Sequence, residues 1–292
     1  VRLDAMKIKI LVDSTADIKK EWLKKFDADL VPLKVVWSDG TSEDDEREPQ
    51  ALMDFYERLK KANEIPKTSQ PTVFEFLQKY RSAEQAGYDG VVVITLSSKM
   101  SGTANSASTA AKEAGIPVEV FDTKLASSVN ALIVRRAREL ADEGKTPKEI
   151  VQTLQNERNS KRFQALFYVS DFNYLVRGGR VSKFQGFLGT MFKIKVGLWI
   201  NYEGEMIPFD KVRGKSKAYE LLIERVKEEI PFHSKVRVAM IHADAENEAK
   251  ELLEKLKEHY DVVDESFHRT GKVITTHVGP GMCGFGMEWL KE

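Results

Sequence analysis

The stretch Val91-Val-Val-Ile-Thr-Leu96 is apolar at every position but Thr95 and does not alternate between apolar and polar residues. A strand with one face in water alternates. A continuous apolar run marks a strand covered on both faces, as in a parallel sheet flanked by helices. Working outward, Ile8–Val12, Leu30–Trp37 and Pro117–Phe121 read as three further strands. Between them, Val73, Leu77 and Tyr80 repeat at helical spacing, and an amphipathic stretch from Ser127 to about Glu143 stops at Gly144, a helix-ending residue. This alternation predicts a doubly wound α/β domain with a mainly parallel sheet.

The second half changes texture. Phe163–Val169, Val236–Ile241, Val262–Phe267 and Val273–Thr276 read as strands, and Lys193–Ile200 and Met206–Val212 flank the hairpin signal Glu203-Gly204. Helices are expected around Ala218–Glu229 and where Ala249, Leu252, Leu253 and Leu256 share one face. Together they predict a second α/β domain with a mixed sheet. The boundary is expected between about Gly144 and Lys161, which divides the chain into 1–157 and 158–292.

With 292 residues, the chain can bury one large or two medium cores. Its 45 Lys+Arg offset its 45 Asp+Glu, for a formal net charge of 0. That balance argues against a nucleic-acid binder, which needs a basic surplus, and supplies no field for an anionic membrane. Cys283 is the single cysteine, so no intramolecular disulfide or thiolate metal cluster is expected, and a cytoplasmic setting fits. The apolar stretch that follows Met6 is too short for a signal peptide, and no run is long enough for stable membrane insertion. Residues 1–5 precede a candidate initiator, Met6, and carry no structural weight.

Ligands of doubly wound sheets sit beyond the carboxyl ends of the strands, which directs attention to the loops there. Asp13-Ser-Thr-Ala-Asp17 reads first as a helix cap, with Ser14 or Thr15 capping. Thr68-Ser-Gln-Pro71 precedes a helix, and its hydroxyls suit a cap or an anion equally. Ser97-Ser-Lys-Met-Ser-Gly-Thr103 holds more hydroxyls than one cap needs, and Gly102 permits close approach of a ligand or another backbone. Thr275-Thr-His277-Val-Gly-Pro-Gly281 reads as a strand ending in a glycine-rich turn, whose backbone permits close approach and leaves His277 equally readable as a structural or a functional histidine. Arg177 and Arg180 flank Gly178-Gly179, a pattern suited to a carboxylate or phosphate.

Taken together, these five motifs, in this order and across most of the chain from Ile8 to Glu288, resemble the DegV family. The resemblance implies a two-domain α/β protein that holds a long-chain fatty acid such as palmitate at the domain interface and uses no further cofactor or metal. The carboxylate would be met by Thr68, Ser101 and His277, with Ser69, Gly102, Thr103, Gly279 and Gly281 as supporting loop residues. Such proteins are not enzymes on their own. They present the acid to a separate kinase subunit, which makes an acyl phosphate for phospholipid synthesis. Arg180, and as a second candidate Arg213, would then face phosphoryl transfer. Three positions depart from the family pattern: Met100, Val196 and the pair Met282-Cys283, which could reshape the pocket wall.

Burying ~15 methylenes at about 0.8 kcal/mol each gives roughly 12 kcal/mol, against association costs of about 4–15 kcal/mol. The tail therefore supplies the affinity, and the head contacts must avoid an uncompensated buried charge. A protonated His277 would do so by neutralising the carboxylate. The competing expectation is an independent hydrolase or acyltransferase with Ser101 as nucleophile and His277 as base. No Gly-x-Ser-x-Gly elbow supports it.

Overall fold

The computed structural model of the chain describes residues 6–187 and 193–291; residues 1–5 lie outside them. The first half runs β1 (Ile8–Asp13), α1 (Lys20–Lys25), β2 (Ala28–Val31), β3 (Lys34–Val36), β4 (Ser42–Asp44), α2 (Pro49–Lys61), β5 (Lys67–Ser69), α3 (Val73–Gln85), β6 (Gly90–Thr95), α4 (Thr103–Ala111), β7 (Val118–Asp122), α5 (Ser128–Asp142) and α6 (Pro147–Asn159). It continues through β8 (Phe163–Val169), α7 (Asn173–Gly178), β9 (Ile194–Ile200), β10 (Met206–Arg213), α8 (Lys215–Lys227), β11 (Lys235–His242), α9 (Glu246–Lys257), β12 (Asp261–Arg269), α10 (Lys272–Val278) and β13 (Cys283–Trp289).

Strands β2, β1, β6 and β7 form a parallel sheet in that order. Every residue of β1 and β6 is buried, because helices cover both faces. Ile8, Ile10, Val12, Val92 and Ile94 pack against α5 and α6; Leu11, Val91 and Val93 pack against α3 and α4. Each such side chain contributes about 1.5–3 kcal/mol of transfer free energy. Helices α3 and α6 both open with a capping box, Thr72 with Glu75 and Thr146 with Glu149, which satisfies amide groups that the first turn leaves free.

The larger sheet runs β10-β9-β8-β13-β11-β12. Strands β11 and β12 pair parallel and the rest antiparallel, so this sheet is mixed as expected. Helices α8 and α9 cover one face through Leu222, Ile223, Leu252 and Leu256. The other face meets α5, which lies between the two sheets, with Val129, Leu132 and Ile133 packed in one core with Phe163, Ala165 and Ala239. A small antiparallel sheet, β4-β3-β5, stands against α2 and encloses Leu33, Val35, Trp37, Phe55 and Tyr56.

Three sequence expectations are corrected. Leu30–Trp37 is not one strand: Pro32 separates β2 from β3, and the two belong to different sheets. Proline cannot donate to a ladder, so a chain that changes sheets turns there at little cost. Val273–Thr276 is not a strand but most of α10. Its β-branched residues favour strand geometry, yet the Thr275 and Thr276 hydroxyls donate back to the carbonyls of Gly271 and Lys272 at 2.7 and 2.8 Å, satisfying the side chains locally within a helix. Finally, β13 went unread, although it lies inside the mixed sheet. Gly284 and Gly286 hide it, and both are there for clearance: an added Cβ would lie 2.3 Å from the Leu166 carbonyl oxygen and 2.5 Å from Val129 Cα, respectively.

The stretch between Gly144 and Lys161 is α6, packed on the parallel sheet. Its buried Arg158 donates to the carbonyls of Thr123 and Asn201 at 3.3 and 2.9 Å. One side chain thereby ties the loop after β7 to the β9–β10 turn.

Candidate functional site

The loops after β1 and β6 are locked together by a buried carboxylate. Asp13, rather than Ser14 or Thr15, caps the turn that follows β1, accepting the Thr15 amide at 2.9 Å and the Leu96 amide at 2.7 Å. Burial pushes its carboxyl up to about 6, against the opposing pull of those donors. Thr15, Leu96, Met100 and Ser101 then form one wall of a cavity of about 380 Å³. Thr68, Ser69 and Gln70 form a second wall, and Ile274 and His277 of α10 a third.

The cavity continues in two directions. Inward it shares Ala126, Met206, Ile274 and Val278 with a small apolar space of about 20 Å³, bounded by Val129, Phe167, Met282 and Gly286 between α5 and the mixed sheet. Outward it shares Thr68, Arg180 and His277 with an open basin of about 600 Å³ that also carries Lys67 and Arg177. Those three shared residues form a throat between a hydrocarbon-like interior and a cationic exterior.

At the throat, Thr68 Oγ1 and His277 Nε2 share a hydrogen bond of 2.9 Å. The imidazole packs against Gly178, where a Cβ would lie 2.5 Å from Nδ1, so the first glycine of the Gly-Gly pair makes room for the histidine. Gly179, left-handed at φ 66°, ends α7 and turns Arg180 back. Arg180 donates to the Gly178 carbonyl at 2.7 Å and to the Met100 carbonyl at 3.4 Å. Burial first, and the Arg180 charge second, hold His277 down to about 4. Those two influences favour the neutral imidazole, so the protonation expected to neutralise a carboxylate has to come with the ligand. An arriving carboxylate reverses one of those influences, since an opposite charge favours the protonated form.

Ser101 faces the same cavity, its hydroxyl paired with Thr103 Oγ1 at 2.8 Å and accepting the Thr103 amide at 3.3 Å. Against Gly102 lies the Gln70 amide, 2.2 Å from where a Cβ would be, and Gln70 donates to Ser106 Oγ at 2.9 Å. Ser97 has a different task, donating to the Gly204 carbonyl at 2.7 Å and holding the β9–β10 turn. The structure thus brings Thr68, Ser69, Ser101, Gly102, His277 and Arg180 to one cavity. Thr103, Gly279 and Gly281 stand behind it. Gly279 and Gly281 adopt φ 76° and 82°, with Gly279 tight against the Tyr174 ring.

Arg213 is not brought there. It ends β10, roughly 23 Å along the strand from Met206 at about 3.3 Å per residue. Among the departures from the family pattern, Met100 and Met282 line the cavity and its inner extension. Val196 is instead buried in the neighbouring core, and Cys283 is buried with Tyr168 and Phe285 on the α8–α9 side of the mixed sheet. Sequence reading missed Met206 and Ile274, which line both spaces; apolar residues become lining only when two sheets are stacked. The arrangement does not favour a serine hydrolase: Ser101 pairs with Thr103, and among the described residues the buried His277 Nδ1 has no hydrogen-bond partner to orient it. Among the described residues no cluster of three or more His, Cys, Asp or Glu side chains could hold a metal, and no helix is long and apolar enough to cross a membrane.

The family model described as "Uncharacterised protein, DegV family" matches residues 7–289. The chain belongs to the DegV family. A fatty acid-binding protein of Thermotoga maritima is 54% identical over 287 residues, covering 98% of this chain and 99% of that one. A solved Thermotoga maritima structure, described as revealing fatty acid binding function, superposes with a TM-score of 0.92 at 52% identity, covering 98% of this chain and all (100%) of that chain. The Streptococcus pneumoniae fatty acid kinase B3 protein, loaded with linoleic acid, shares the DegV fold at a TM-score of 0.83 and 21% identity, covering 98% of this chain and 100% of that one. Fatty acids are thus bound ligands of DegV-fold proteins.

Proposed function

We propose that this chain binds one long-chain fatty acid such as palmitate, its carboxylate at Thr68, Ser101 and His277 and its tail in the apolar space between the two sheets. The observation that carries the reading is the throat, where Thr68, His277 and Arg180 separate an apolar interior from a cationic basin. An amphipathic ligand with one anionic end fits that polarity, and neither end would fit reversed. The inner space is small, at about 20 Å³. Entry of a tail therefore requires Met206, Ile274 and Met282 to move aside, and two of those are methionines, the most adaptable of core side chains. In this reading the ligand lies between units divided near residue 157.

The acid would be presented to a separate kinase subunit, which supplies the phosphoryl group while this chain supplies none of the chemistry. Support comes from the basin: Lys67, Arg177 and Arg180 surround the open side of the throat, where a phosphate donor would need cations. Mass spectrometry of lipid extracted from purified protein tests the first half; recovery of no fatty acid, with none taken up on incubation, would sink it. Arg180→Ala tests the second. The variant is expected to keep its bound lipid and to lose acyl phosphate formation with an added fatty acid kinase, and normal turnover would remove Arg180 from the mechanism.

A further inference from the structure

Behind the throat, at the opposite end of α10 from His277, four segments meet through buried polar groups that do not line the cavity. Asp17, left-handed at φ 51°, accepts the Gly271 amide at 2.7 Å and the Ser127 hydroxyl at 2.6 Å. Asp45, in the loop between β4 and α2, accepts the Lys272 amide at 2.6 Å. Arg47 lies 3.6 Å from the Asp17 carboxylate and donates to the carbonyls of Asp17 and Arg269. Gly271 admits no side chain, since a Cβ would stand 2.5 Å from Asp45 Oδ1. The Lys272 ammonium turns the other way, to Glu43 at 2.7 Å.

We propose that Asp17 and Asp45 are positioning residues of the carboxylate site, which hold α10 in the register that brings His277 to Thr68. The connection is short and continuous. Lys272 to His277 spans about 8 Å of helix axis at 1.5 Å per residue. On the other side, Asp45 follows β4, β4 pairs with β3, and β3 pairs with β5, where Val35 stands opposite Thr68. One carboxylate therefore joins the helix that carries the histidine to the sheet that carries the threonine.

The cluster is poorly explained as a device for stability. Asp17 and Asp45 are fully buried beside one guanidinium, Arg47, and among the described residues Arg47 Nε has no hydrogen-bond partner. Buried groups left in that state destabilise a fold relative to apolar packing. What the carboxylates provide is direction: two acceptors aimed at the amides of Gly271, which caps α10, and of Lys272, its first residue.

The proposal rests on the fatty-acid reading, so the test compares two ligands of equal tail: palmitate and hexadecanol, which lacks the carboxylate. Asp45→Ala is expected to lower palmitate affinity about fivefold, the scale of one lost hydrogen bond, and to leave hexadecanol within about twofold. Asp45→Asn, which keeps an acceptor, should recover most of the loss. In a His277→Ala background, Asp45→Ala should add little, because the residue it positions is gone. Should Asp45→Ala fail to fold, Lys272→Pro removes the same hydrogen bond from the donor side at a first-turn position that suits proline, with the same expected split between ligands. Equal loss of both ligands, or full additivity with His277→Ala, overturns the proposal and leaves a structural role. Failure of the wild-type chain to bind palmitate overturns the fatty-acid reading instead.

Discussion

Along the edge where α5 and α6 meet the mixed sheet, charges alternate. Arg162 and Arg237 reach the fully buried Glu288 at 2.7 and 3.2 Å. Arg136 and Arg162 share Glu157 at 2.9 and 3.2 Å, and Arg135 and Arg237 share Glu139 at 3.2 and 3.0 Å. At the base of the throat the pattern is the reverse, with Asp17 and Asp45 both beside Arg47 and the buried Asp13 close to Asp45. The seam satisfies each charge with more than one partner and joins helices to strands distant in sequence. The throat holds three carboxyls whose charged form burial disfavours, close to the residues assigned to ligand. On the proposed reading, charge balance marks the part of the molecule that only has to hold together, and buried carboxyls in excess of cations mark the part that orients the ligand site.

The largest effect that would break this contrast lies in the seam. Glu288→Ala leaves Arg162 and Arg237 facing one another without their shared acceptor, and should cost about 3–5 kcal/mol in urea unfolding. Lipid content per folded molecule should not change. A cost below about 1 kcal/mol would mean that the seam behaves like an exposed surface pair, and the contrast would fall.

The next effect is a pH dependence at the throat. Burial pushes Asp17 up to about 7 from 3.8, with Arg47 opposing. The native state therefore holds a proton that the unfolded state releases, and the stability this contributes is full below about pH 4 and lost as pH rises through 7. His242, His268 and His277 act in the other sense: burial lowers them to about 4, 3 and 4 from 6.5, so their contribution is full above 6.5 and lost on acidification. Asp17→Asn removes the first influence and leaves the second. Its melting temperature relative to wild type should rise between pH 5 and pH 8, and a constant offset would show that Asp17 stays charged throughout.

The smallest effect sharpens the division between head and tail. His277→Ala should weaken palmitate binding by about 1 kcal/mol, because the tail supplies most of the driving force, while acyl phosphate formation with the kinase falls further. The wild-type chain should also take up protons on binding as the carboxylate raises His277 from about 4. Calorimetry in two buffers of different ionisation enthalpy reads that uptake, which must vanish in the variant. Equal losses of binding and turnover, or identical proton uptake in both proteins, would sink the assignment.

The motifs around Thr68, Ser101, Arg180 and His277 were legible as candidates. Each also read as a helix cap, a structural histidine or a solvated arginine, and only the family resemblance joined them; the fold is what brings them to one cavity. The apolar lining was not legible: Met206, Ile274 and Met282 look like ordinary core residues until two sheets face one another. Nor was the division of labour within one motif. Ser97 and Ser101 sit in the same loop, yet one holds the Gly204 turn and the other faces the cavity.

The sequence by itself determined whatever depends on neighbours along the chain. The doubly buried strands β1 and β6 follow from uninterrupted apolar runs. The starts of α3 and α6 follow from Thr-x-x-Glu boxes, and the β9–β10 turn follows from Glu203-Gly204. Tertiary structure decided what depends on groups far away in sequence. Val273–Thr276 has the composition of a strand and becomes helix where Asp17 and Asp45, more than 220 residues upstream, meet its first amides. Strand β13 exists because Gly284 and Gly286 let β8 and α5 close over it. His277 is neutral because the fold removes water around it and places Arg180 nearby. Hydrogen-bond propensity and periodicity are local properties, whereas desolvation and close approach belong to the assembled fold.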